Sequence, residues 1–153
     1  LLAPADYART SELIYGGSCG GHFRHIIQHY EAFFTGATSA LIDYDLRDRS
    51  APVETDIGAA RAALQKISRQ LQAEPRSDAP LTVWQNYDPA DRPRGVPSCR
   101  LRELQFLASH AIHHFAVIGI AMRGFGYDLP ADFSLAPSTR FHLQSANDAA
   151  RAG

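Results

Sequence analysis

The sequence predicts an all-α fold: a four-helix bundle with a long connection before the last bundle helix and an irregular C-terminal tail. Three observations lead there. Apolar residues recur at helical spacing in four separate stretches. Capping and breaking residues stand at the ends of those stretches. The 153 residues, free of internal repeats and low-complexity linkers, suit one domain, with a core from about residue 6 to 126 and a tail from 127 to 153.

The first stretch runs from about Asp6 to Tyr15, and Gly16-Gly17 ends it. The second runs from about Gly21 to Phe34, with Ser18 placed as its N-cap and Gly36 as its stop. Its Phe23, Ile26, Ile27, Tyr30, Phe33 and Phe34 give a broad apolar face. The third spans about Pro52 to Ala73, where Pro52 suits a first turn and Ile57, Leu64, Ile67 and Leu71 form the stripe. The fourth and longest spans about Ser98 to Arg123, with Leu101, Leu104, Ala111, Phe115, Ile118 and Met122 as its stripe and Gly124 and Gly126 as its stop. Between the second and third lies the charged loop DYDLRDRS, residues 43–50. Proline-rich residues 74–97 read as a connection, with a short strand at Leu81 to Trp84. The Ala-rich end reads as a frayed helix.

Composition narrows the function classes. The chain is 45% hydrophobic and 20% charged, with fifteen Lys and Arg against sixteen Asp and Glu. That balance offers no basic footprint for nucleic acid. Lys66 is the one lysine, and an Arg bias suits anionic ligands or a GC-rich genome alike. No run of about eighteen apolar residues points to a membrane span, and LLAPADYART lacks the basic and apolar regions of a signal peptide. Cys19 and Cys99 are too few for a disulfide framework and form no CxxC, so a reducing cytoplasm is expected.

Histidine carries the functional signal. Six of the seven fall in two short windows: His22, His25 and His29, then His110, His113 and His114. On the fourth helix, Glu103, His110 and His114 lie within about 40° of one another beside the apolar stripe, with His113 off to the side. An i, i+4 pair puts two imidazoles close enough to share one metal ion. On the second helix all three histidines line one edge of the apolar face, so any of them can complete the set. Three neutral imidazoles leave positions open for water or substrate, the pattern of a catalytic zinc site. Glu103 is a candidate general base or outer hydrogen-bond acceptor, and His29 a candidate proton carrier. Arg47, Arg49 and Arg102 are candidate substrate-binding cations, with Arg100 beside them. The alternative for the charged loop is a solvated, salt-bridged turn. Cys19 reads as a buried inert thiol.

SCGGHFRHIIQHYEAFF followed by SCRLRELQFLASHAIHHFAVI resembles the DinB-like (DinB/YfiT) superfamily of metal-binding four-helix bundles, in an uncharacterised subgroup. The resemblance covers roughly residues 18–120. It implies His25 as the single ligand of the second helix, and His110 and His114 as the paired ligands, with His22 and His29 as alternatives to His25. GHFRHIIQHYE is also similar to a segment of the related domain in ergothioneine-synthesising sulfoxide synthases, which again implies His25. The resemblance further implies a divalent ion (zinc or nickel, with iron in the sulfoxide synthases), homodimers, and thiol chemistry with a low-molecular-weight thiol as co-substrate. The expected function is a metal-dependent hydrolase or thiol S-transferase, in which metal-activated water or thiol attacks a small electrophile. The alternative is a non-catalytic metal-binding or stress-associated interaction protein. Expected partners are a small-molecule substrate and a second copy, with no nucleic acid and no membrane.

Overall fold

The computed structural model describes residues 2–46, 52–75, 77–85 and 94–152. Three long helices dominate: α2 (Cys19–Ser39), α3 (Ile57–Ala73) and α4 (Arg100–Gly124), after the short α1 (Pro4–Ala8) and before the terminal α5 (Pro137–Ala152). Among the described residues five strands accompany them: β1 (Thr10–Ser11), β2 (Gly17–Ser18), β3 (Leu41–Asp43), β4 (Pro80–Gln85) and β5 (Arg94–Cys99). β1 and β2 pair antiparallel, and β3-β4-β5 form a second sheet in that order. The fold is therefore mixed α/β, which corrects the all-α four-helix bundle with its irregular tail. The proline-rich connection holds the antiparallel β4–β5 pair, and β3 joins β4 in parallel, Ile42 against Val83. Pro97 is tolerated because β5 is an edge strand. The first predicted helix shortens to α1, followed by a 3-10 turn at Glu12–Ile14.

Local chemistry sets the helix ends. Ser18 Oγ accepts from the Gly21 amide at 3.0 Å and so caps α2. Asp56 Oδ1 accepts from the amides of Gly58 and Ala59 and caps α3. Gly36 does not stop α2, which continues to Ser39 before Ala40 turns left-handed at φ 56°. Gly36 instead lets the returning chain lie against the helix, because a Cβ there would fall 2.5 Å from the Leu41 carbonyl oxygen.

α2 is the central element, with α3 and α4 packed on it. One core cluster joins Tyr7, Ile26, Ile27, Val53, Ile67 and Ile118; a second joins Phe33, Ile42, Leu81, Val83 and Leu107 and fastens the three-stranded sheet to α2 and α4. At 25 residues α4 is long and apolar enough to cross a membrane by length and composition. It packs on α2 and β5 and buries Glu103 within the protein.

Candidate metal centre

The two histidine windows face each other across the α2–α4 contact. Ring centroids lie 4.3 Å apart for His25 and His29, 4.9 Å for His25 and His110, and 4.3 Å for His29 and His110. One ring nitrogen from each of these three lies within 4.8 Å of the other two. His114 adjoins them, with centroids 4.5 Å from both His25 and His110. His22 meets His114 through their Nδ1 atoms at 2.9 Å.

Hydrogen bonds constrain the tautomers of these rings. His29 Nδ1 lies 2.8 Å from the His25 carbonyl oxygen, one turn earlier in α2. A carbonyl only accepts, so His29 Nδ1 carries a proton. Between His22 and His114 one Nδ1 donates and the other accepts, so the accepting ring is neutral. Burial is the first cause that lowers the His22 pKa. Burial, and then the neighbouring histidines led by His110, push His114 down to about 3. Imidazoles kept neutral are the form that binds a metal.

Of the sequence-derived ligands, the structure brings His25 and His110 together with His29. His114 stands beside that triad with its Nδ1 turned toward His22. Glu103 is 1% exposed. Its Oε2 accepts from the Tyr44 hydroxyl at 2.9 Å, and its Oε1 accepts from Ser98 Oγ and from Arg102 at 3.0 Å. Arg102 also lies over the Phe106 ring. Arg100 pairs with Glu74 across a largely buried contact and reaches the Ala37 carbonyl. Arg47 and Arg49 lie outside the described residues. His113 is exposed.

Sequence reasoning missed Phe106, and counted Tyr44 only within the charged loop, not beside the histidines. Tyr44 stacks on His29 at 5.4 Å and 18°, Phe106 packs under Tyr44 at 5.5 Å, and Phe106 also meets His110 at 5.4 Å. Phe106 was accessible in principle, since it precedes His110 by four residues and so shares its face. Tyr44 sits in a charged loop with no periodicity to mark it.

A cleft of about 350 Å³ opens beside the cluster, lined by Gly17, Gly21, His22, Arg24, His25 and His114 among others. Its walls include the N-terminal turn of α2 and the Arg24–Glu54 ion pair. Among the described residues a separate apolar cavity of about 500 Å³ lies between α3 and α4, lined by Tyr7, Phe23, Ile57, Leu64, Ile118 and Met122 among others.

The chain is 35% identical over 107 residues, 68% of its length, to FK506-binding protein 5 of Rhizopus delemar. It spans 28% of that relative's length. No family model matches the chain, and no solved structure matches it. The likeness to a protein named for binding FK506 overturns the DinB-like resemblance, and the mixed α/β fold agrees with that correction. The functions drawn from it fall too: metal-dependent hydrolase and thiol S-transferase.

Proposed function

We propose that this chain is a small-molecule-binding unit centred on a divalent metal ion held by His25, His29 and His110. The observation that carries the reading is the convergence of three imidazole nitrogens within 4.8 Å. Around a tetrahedral ion 2.0–2.1 Å from each nitrogen, neighbouring donors stand about 3.3 Å apart, so small ring rotations close the set. The donor chemistry fits as well: all-imidazole sites suit zinc, nickel and iron. Such an ion supplies Lewis acidity toward an oxygen, nitrogen or sulfur atom of a bound molecule. The chain's own residues do the rest. The cleft beside His25 and His114 admits the molecule, and neutral His114 offers a ring nitrogen as acceptor or donor within it.

The test uses the full chain purified without a His tag, stripped with chelator and titrated with zinc and then nickel. About one equivalent should bind the parent, and His29→Ala and His110→Ala should each lose most of the affinity while staying folded. A folded parent that binds neither ion overturns the reading.

A second reading follows from the relative's name, that the chain contributes to binding FK506. The apolar cavity favours it, since about 500 Å³ falls within the range of drug-sized ligand sites. FK506 should then raise the melting temperature of the parent and not of a Leu64→Arg variant. An unshifted parent removes this reading and leaves the metal centre untouched.

A further inference from the structure

We propose that Glu103, acting through Tyr44, is a positioning residue of the histidine centre: the pair fixes the ring that covers His29 and so sets the geometry in which His29 and His110 meet an ion. The inference rests on the metal reading above and adds the residues that tune it.

Glu103 stands on the first turn of α4, and its carboxylate is occupied on both sides. Ser98 from β5 and Arg102 hold Oε1, while the Tyr44 hydroxyl donates to Oε2. With both oxygens engaged and 1% of the residue exposed, the carboxylate is an anchor. It ties the end of the sheet, the loop after β3 and the helix carrying His110 to one point. Burial is the first cause that raises the Tyr44 pKa, with the Glu103 charge next. The phenol therefore keeps its proton and donates.

The anchored ring is placed where it constrains the site. His29 stacks with Tyr44, nearly parallel at 18°, and with His110, at 27°. Tyr44 and His110 both rest on Phe106. His29 thus has a hydrogen bond fixing its Nδ1 and two aromatic rings stacked on it. Rotation of His29 changes its stack on Tyr44, whose hydroxyl Glu103 holds. The chain preceding Tyr44 is fixed too: Asp43 Oδ1 accepts from the amides of Asp45 and Leu46, closing the turn around Tyr44. Outer hydrogen-bond partners of this kind typically change metal affinity by ten- to a hundredfold.

The experiment is a cobalt(II) titration of the full chain and its Tyr44→Phe, Glu103→Ala and Glu103→Gln variants, read by visible absorption and by zinc competition. Tyr44→Phe keeps the ring and removes the anchor. It should weaken binding about tenfold or more and alter the cobalt bands, as should Glu103→Ala. Glu103→Gln retains an oxygen to accept from Tyr44 and should return affinity and bands close to the parent's. A purely structural role would lower melting temperature without altering the bands. Parent-like affinity and bands in folded Tyr44→Phe overturn the positioning role, and the milder hydroxyl deletion keeps that test open if Glu103→Ala fails to fold. A parent that binds no cobalt or zinc overturns the metal reading instead.

Discussion

Substituting Gly36 by alanine tests the placement of the loop that carries Tyr44. A Cβ at Gly36 falls 2.5 Å from the Leu41 carbonyl oxygen, 2.7 Å from Ile42 Cα and 2.8 Å from Ile42 Cγ1. Ordinary contacts sit near 3.5–4.0 Å, and two of these three atoms are backbone that no rotamer change moves. Overpacking of this sort costs about 1–3 kcal/mol, and backbone neighbours favour the upper half. Opposing it is the helix propensity of Ala over Gly, about 1 kcal/mol. The net expectation is about 1–2 kcal/mol of destabilisation, or a melting temperature lower by about 2–8 °C in a chain of this size. Gly124→Ala is the matched control. Its Cβ also meets an atom at 2.5 Å, but that atom is the tip of the exposed Leu13 side chain, which swings aside. Differential scanning calorimetry of parent, Gly36→Ala and Gly124→Ala decides the matter. Gly36→Ala melting at or above the parent, or Gly124→Ala losing as much as Gly36→Ala, refutes the reasoning.

Tyr7→Phe removes the buried hydroxyl that donates to the Val53 carbonyl at 2.6 Å, so urea unfolding should show a loss of about 1–3 kcal/mol with an unchanged slope. Asp56→Ala removes the α3 cap and should cost about 1 kcal/mol in the same assay, whereas Asp56→Asn should keep most of it. In chelator-treated protein the lowered His22 and His114 pKa values make the unfolded chain bind more protons than the folded one. Stability should then be level above about pH 7 and fall as pH drops from 6.5 toward 3. A His114→Gln variant should show a shallower fall between about pH 6.5 and 5; an equal slope in both proteins contradicts the assignment.

The three long helices were legible in the sequence because each carries a 3.6-residue apolar repeat that its packing uses. The sheet was only partly legible. Leu81 to Trp84 signalled a strand, but its partner RGVPSC contains a glycine and a proline that argue locally for a loop, and only tertiary pairing makes it β5. β3 has three residues, too few for an alternating pattern, and it exists because Gly36 lets it lie on α2. Helical spacing put His110 and His114 on one face, and both windows do meet. Which imidazoles converge depends on side-chain rotation and on the His29–His25 hydrogen bond, neither of which spacing encodes. Tyr44 depends on a contact 59 residues away in sequence, so no local window reveals it.

The most direct measurement is anomalous diffraction at the zinc edge from crystals of the untagged chain soaked with zinc. The account predicts one strong peak about 2.0–2.1 Å from a ring nitrogen each of His25, His29 and His110, with Tyr44 still bonded to Glu103. A peak elsewhere, or none at the cluster in crystals that hold zinc at other sites, would contradict it.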